Sequence, residues 1–152
     1  MIPAMHRHTL NSFAALVLSV GLTFGSACSD GAQSQRRTAA ANAPYPAEVS
    51  LVDEAPKGWT YRQSPGNYPL YYYDRDAANV SNCYDECTAR FIPLPAPASA
   101  KPLGEWSVVT RKDGRKQWAY QSHPVYTLLD DSVQSPTGDG AEGVWHLMPH
   151  FQ

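Results

Sequence analysis

The sequence predicts a small, mainly β domain built from two aromatic-rich repeats, with one short helical turn around a pair of cysteines. Tyr, Trp, Val and Thr cluster in short runs, and Pro or Gly interrupts nearly every run, which is typical of short strands. Several of these runs recur in the same order in the second half of the chain. Four prolines between residues 93 and 102 exclude a long helix, so we expect the helical piece within residues 83–91.

The clearest predicted element is a hairpin formed by residues 106–111 and 116–120. Both runs are rich in β-branched and aromatic side chains, and Asp113-Gly114 lies between them. Asp-Gly favours a tight turn, because both central residues tolerate a positive φ. We expect alternate residues of the first run to face Trp118 in the second.

Two segments, about residues 59–97 and 106–149, repeat the same aromatic pattern. The first copy contains Trp59, Tyr61, Pro69, Tyr71 and Phe91, and the second contains Trp118, Tyr120, Pro124, Tyr126 and Trp145. Two copies are too few for a solenoid, which needs at least three stacked units. We therefore expect both copies to share one pseudo-symmetric domain over residues 48–152.

Residues 1–28 have the pattern of an export signal. Arg7 precedes an uncharged apolar run over residues 13–24, and small residues follow it. The run is shorter than the roughly 20 residues that a spanning helix needs. Residues 25–28 resemble the bacterial lipobox, with glycine where leucine is usual, so Cys28 is predicted to carry a lipid. Ordinary signal-peptidase cleavage without lipid is the alternative.

Residues 29–47 are predicted to be a flexible tether. They are rich in Ala, Ser, Gln and Pro and show no periodicity, so they cannot bury enough apolar surface to offset their ordering entropy. Removal of the signal leaves 11 basic and 14 acidic side chains without a basic stripe. Nucleic acid is therefore not an expected partner. The expected partners are the membrane, through the lipid anchor, and an envelope protein.

The residues Tyr71, Tyr73 and Asp76 fit the pattern Y-x-[FWY]-x-x-D. Over residues 70–146 the chain resembles the predicted bacterial lipoproteins that are also described as secreted repeats of unknown function. The second copy departs at Leu128, where an aromatic residue is expected, and its signature is interpreted as decayed. The resemblance implies an exported, often lipid-anchored protein with no established reaction. Further residues that carry it are Asp113, Gly114, Gln117, Trp118, Tyr120, Tyr126 and Trp145.

The chain has three cysteines, and lipidation of Cys28 leaves the pair Cys83 and Cys87. On one helical turn, residues four apart lie about 6 Å apart, within the range that a disulfide tolerates. Such a pair should oxidise outside the cytoplasm, so we predict a structural disulfide. A redox-active pair, or one that binds Cu(I) through thiolates, is the alternative.

Near the C-terminus, His146, Met148 and His150 could offer imidazole and thioether ligands to copper. The favoured interpretation is a half-exposed strand end with incidental polar residues, and His123 is interpreted as a surface loop residue.

Four aspartates follow predicted strands and are expected to accept backbone N–H groups in turns, with calcium a weaker alternative because no EF-hand spacing is present. These aspartates are Asp74, Asp76, Asp130 and Asp131.

The sequence contains no nucleophile elbow, phosphate loop or HExxH motif. The predicted function is therefore that of an exported, lipid-anchored envelope protein that is not an enzyme, needs no cofactor, and acts as a binding or structural module. The alternative is a copper-handling or redox-accessory protein that uses the C-x-x-x-C pair.

Overall fold

The computed structural model describes residues 44–150. This part of the chain is mainly β, as predicted, with a short helix α1 (Glu86–Arg90) and a 3-10 turn (Ala141–Gly143). The export signal and Cys28 lie outside the described residues. The strands are β1 (Val49–Asp53), β2 (Trp59–Gln63), β3 (Tyr68–Pro69), β4 (Tyr71–Tyr73), β5 (Phe91–Pro93), β6 (Trp106–Thr110), β7 (Lys116–Tyr120), β8 (His123–Pro124), β9 (Tyr126–Leu128) and β10 (Trp145–Leu147).

The strands form three antiparallel sheets, in the orders β1-β2-β3, β6-β7-β8 and β10-β4-β9-β5. The first two sheets are counterparts, because each consists of a hairpin of five-residue strands followed by a two-residue strand. The four-stranded sheet contains strands from both repeats and joins them.

The two repeats exchange their last strands. The counterpart residues Tyr71 and Tyr126 pair directly, so the pseudo-two-fold axis lies between β4 and β9. Strand β5 of the first repeat pairs with β9 of the second, and β10 of the second pairs with β4 of the first. Neither repeat therefore contains a complete four-stranded sheet by itself.

The strand pairing gives a different alignment of the repeats from the one predicted. Gln63 pairs with Tyr68 across a four-residue loop, whereas Tyr120 pairs with His123 across a two-residue loop. Gln63 is thus the counterpart of Tyr120, which differs by two residues from the predicted match of Tyr61 with Tyr120. The unequal loops explain the difference. Strand β1 is the counterpart of β6, so the first repeat also begins before residue 59.

The hairpin of β6 and β7 is confirmed, with Val108 opposite Trp118. Its turn is not the predicted one. Gly114 takes a positive φ of 81°, whereas Asp113 is not among the residues with positive φ. The Gly114 N–H donates to the Arg111 carbonyl at 2.9 Å, which is the pattern of a type I turn followed by a glycine bulge. The longer loop makes a positive φ at both central residues unnecessary.

Two clusters of buried side chains fill the interior. The larger one lies around the two hairpins and includes the counterparts Leu70 and Val125. The smaller one packs under the four-stranded sheet, where the rings of Phe91 and Trp145 stack with centroids 3.5 Å apart and Tyr73 stacks on Trp145 at 4.4 Å. Aromatic side chains are four of the ten buried residues in the larger cluster and five of the six in the smaller one, so they supply much of the apolar area buried on folding.

The packed domain begins within the segment predicted as tether. Pro46 is buried, and its carbonyl accepts the Val49 N–H at 3.0 Å. The ring of Tyr45 lies 5.7 Å from that of Tyr61. Apolar contact thus fixes residues 44–47 on the domain. No helix within residues 44–150 is long and apolar enough to cross a membrane.

Candidate functional site

The signature tyrosines and aspartates bind each other across the two repeats. The Tyr71 hydroxyl donates to Asp131 Oδ2 at 2.5 Å, and its counterpart Tyr126 donates to Asp76 Oδ2 at 2.7 Å. Each tyrosine therefore bonds the aspartate of the other repeat. Because strand residues alternate between faces, Tyr71 points inward while Tyr72 points outward. The second copy keeps the tyrosine (Tyr126) and the aspartate (Asp131) of the Y-x-[FWY]-x-x-D pattern, which form these bonds. It differs from the pattern only at Leu128, where an aromatic residue is expected.

Each of the two hydroxyls also accepts a hydrogen bond in the interior. The Gly138 N–H approaches the Tyr71 oxygen at 3.3 Å, and a Cβ at this glycine would lie 2.8 Å from the Tyr71 ring. Burial raises the pKa of the Tyr71 hydroxyl, and the bond to Asp131 raises it further. Burial likewise raises the pKa of Tyr126, so both hydroxyls are protonated donors at neutral pH.

A chain of hydrogen bonds links buried Arg111 to Asp76. Arg111 Nη1 donates to Ser81 Oγ at 2.6 Å, and Ser81 lies 2.7 Å from the Tyr126 oxygen. Since Tyr126 donates to Asp76, its oxygen accepts from Ser81. Arg111 Nη1 also donates to Gln117 Oε1 at 2.8 Å. Residues from both repeats thus form one continuous polar network in the interior.

The Cys83–Cys87 disulfide is present, with Cα atoms 5.3 Å apart. The short helical turn predicted around the cysteine pair is present, with Cys87 in α1 and Cys83 before it, and Asp85 takes a φ of 52° between them. Cys83 is fully buried, and its carbonyl accepts Arg111 Nη2 at 2.6 Å. The disulfide loop is therefore attached to the hairpin of the second repeat.

The candidate copper ligands point to different partners. His146 Nε2 lies 2.7 Å from Asp74, and His150 Nε2 lies 2.8 Å from Glu54. Met148 is buried in the larger core cluster. Among residues 44–150, no group of three or more His, Cys, Asp or Glu side chains could hold a metal ion. The structure does not bring the three C-terminal candidates together, and copper binding stays a prediction.

Glu54 holds the C-terminal segment against the first hairpin. It pairs with the buried side chain of Arg62 as well as with His150. Burial by itself raises the pKa of the Glu54 carboxyl, but hydrogen bonds from His150 and Arg62 outweigh burial and lower that pKa. The carboxylate is thus ionised at neutral pH, and its oxygens are already engaged.

Two of the four aspartates that follow strands, Asp76 and Asp131, accept backbone N–H groups as predicted, whereas Asp74 lies 2.7 Å from the His146 side chain. Asp76 accepts the Asn82 N–H at 2.7 Å, and Asp131 accepts the Thr137 N–H at 2.9 Å. Burial raises the pKa of the Asp76 carboxyl. Asp76 accepts from Tyr126 and Asp131 accepts from Tyr71, so the two carboxylates do not converge on one cation.

A cleft beside β8 brings exposed polar groups together with apolar side chains. This aromatic cleft has a volume of about 210 Å³. The ring of Tyr72 lies 5.3 Å from that of His123 and 5.1 Å from that of His146. Sequence reasoning missed the cleft, because His123 is brought to Tyr72 by contact between β4 and β8. The lining residues are Tyr72, Tyr120, Gln121, His123, Val125, Met148 and Pro149.

Comparison with known proteins identifies the second repeat. Residues 107–148, from β6 to the residue after β10, match a family described as secreted repeat of unknown function. No curated protein and no solved structure matches the chain. The match begins and ends with the structural repeat, and it includes Tyr126 and Asp131 of the crosswise bonds. Residues 107–148 are therefore similar to the secreted repeat of unknown function that the sequence pattern resembles.

Proposed function

We propose that the chain is a lipid-anchored module of the bacterial cell envelope that acts by binding or by structural support and not by catalysis. The family match supports an exported protein of unknown activity. The observation that carries the proposal is the pair of crosswise bonds, Tyr71 with Asp131 and Tyr126 with Asp76. These bonds give the signature residues a role in joining the repeats.

The burial of the signature supports this role. Tyr71 and Tyr126 are 0% exposed, and Asp131 is 8% exposed. A general acid or base must come within hydrogen-bond reach of the proton that it transfers. These hydroxyls and carboxylates instead reach each other, and backbone N–H groups take further positions on the carboxylates. The signature therefore stabilises the domain without touching a substrate.

We expect Tyr126→Phe to lower the free energy of unfolding by about 1–3 kcal/mol, because Asp76 and Ser81 lose a buried partner. The measurement is urea unfolding followed by tryptophan fluorescence. Tyr68→Phe is the matched control, because this tyrosine is 41% exposed, and its change should stay within about 0.5 kcal/mol. Equal stability of Tyr126→Phe and the parent would contradict a joining role.

The lipid anchor is tested separately, by feeding a radioactive fatty acid to bacteria that express the full chain. The label should enter the parent protein and Cys83→Ser, since Cys83 is fully buried in the folded domain. It should be lost in Cys28→Ala, because the lipobox-like residues 25–28 place the modification on that cysteine. Labelling that persists in Cys28→Ala would remove the anchor from the proposal.

A further inference from the structure

Comparison of counterpart positions in the two repeats distinguishes residues that recur in both copies from residues found in one copy. Positions that the fold uses twice carry similar residues, as at Leu70 and Val125. The aromatic cleft breaks this symmetry. The counterpart of Tyr72 is Thr127, and Tyr68 occupies the position in β3 that His123 occupies in β8. Tyr72 and His123 thus have no counterpart of their own kind, whereas Val125 and Met148, which also line the cleft, belong to the larger core cluster.

The size of the cleft limits its ligand to about one ring. Pockets for drug-sized ligands have volumes of about 300–1,000 Å³. The aromatic cleft, at about 210 Å³, lies below that range. A peptide or an acyl chain would place most of its surface outside it.

The lining favours a neutral ligand, because it carries no permanently charged side chain. None of the described residues that line the cleft is Lys, Arg, Asp or Glu. The nearby carboxylate of Glu105 already accepts from Tyr120 Oη at 2.8 Å and from Gln121 Nε2 at 2.9 Å. An ionic ligand would therefore lose water without gaining a carboxylate, ammonium or guanidinium partner on the lining.

The rim and the floor together favour a ligand with apolar faces and hydroxyl edges. At the rim, Gln121 Nε2 already donates to Glu105, so Gln121 offers its amide oxygen as an acceptor, and the His123 imidazole can donate through one ring nitrogen and accept through the other. A purely apolar ligand would remove water from these groups and leave them without partners. The floor consists of the carbon-rich side chains of Val125, Met148 and Pro149.

The arrangement of rings favours a sugar over a flat base. The Tyr72 ring already stacks on His146 at an interplanar angle of 28° and contacts His123. Little ring face is left for stacking a planar ligand. Gln121 and Ser122 take positive φ values of 47° and 70° in the two-residue turn that carries the rim. A two-residue hairpin turn requires a positive φ at both central residues, so this conformation fixes the position of the rim.

We infer that the aromatic cleft binds a single neutral sugar ring, with the ring's C–H faces on Val125, Met148 and Pro149 and its hydroxyls on Gln121 and His123. This inference deepens the proposed function and rests on it, since it takes the domain to be a binding module. The ring could come from a free monosaccharide or from a unit of a glycan chain, and the chemistry of recognition is the same for both.

The test is an NMR titration of the exported chain carrying Cys28→Ala. The probes are glucose, galactose, mannose and N-acetylglucosamine, together with the tetramer of N-acetylglucosamine. Glucose 6-phosphate and benzyl alcohol serve as the charged and the hydroxyl-poor comparisons. We expect saturable shifts at Gln121, His123 and Met148 with at least one neutral sugar. Tighter binding of the tetramer would identify a glycan chain as the source, and equal or weaker binding a free sugar.

Counterpart positions supply the controls. His123→Ala should weaken sugar binding at least tenfold, and Tyr72→Ala should weaken it because the Tyr72 ring contacts His123 and holds it in place. Tyr68→Ala and Thr127→Ala should leave sugar binding unchanged. His123 is exposed, so its variant tests the site without loss of folding. The inference is overturned if no neutral sugar gives saturable shifts, if benzyl alcohol binds as tightly, or if the control variants weaken binding equally. If the sugar test fails in one of these ways while fatty-acid labelling of Cys28 is normal, the sugar site is refuted and the proposed lipid-anchored module is not.

Discussion

Two fragments cut between Lys101 and Pro102, residues 29–101 and 102–152, should each be unfolded alone and should fold together when mixed. The cut lies in an exposed connection between the repeats. Each fragment lacks a partner strand, because β5 pairs with β9 and β10 pairs with β4. The cut also separates Tyr71 from Asp131 and Tyr126 from Asp76, so neither fragment can form these hydrogen bonds by itself. The folding unit is therefore two repeats, although the family match covers one.

Circular dichroism and tryptophan fluorescence of the separate and mixed fragments measure this result. The mixture should recover the native spectra in a concentration-dependent manner, because association replaces a covalent connection. Residues 102–144 form the matched control, since this fragment lacks β10 and should not complement the first. Native spectra from either fragment by itself would show that strand exchange is dispensable.

Arg111→Ala should lower the free energy of unfolding by about 3–5 kcal/mol, the range for removal of one partner from a buried charged network. The side chain is 1% exposed and donates to Ser81, to Gln117 and to the Cys83 carbonyl. The substitution leaves all three acceptors without this donor in the interior. It also detaches the disulfide loop from the second repeat.

Urea unfolding of the oxidised protein gives the measurement. Arg115→Ala is the control, because this arginine is 71% exposed and pairs with Asp113 at the surface. Its loss should cost less than about 1 kcal/mol. A change below about 1 kcal/mol for Arg111→Ala would show that the buried network does not hold the repeats together.

Part of the candidate site could be predicted from the sequence, because its signals are local. The spacing of Cys83 and Cys87 indicated the disulfide, and aspartate after a strand indicated a turn acceptor. The same local reasoning failed where a loop changed length. The match of Tyr61 with Tyr120 assumed equal loops, and the structure instead aligns Tyr61 with Trp118.

The sequence by itself determined that this chain is mainly β, that it contains two related copies and that residues 106–120 form a hairpin. Strand alternation, turn residues and repeated spacing are short-range properties, so they are readable along the chain. Only the tertiary structure decided that Tyr71 binds Asp131, 60 residues away. It alone placed His123 beside Tyr72 in the aromatic cleft. Both depend on which strands become neighbours, and that choice is made by the packing of the whole domain.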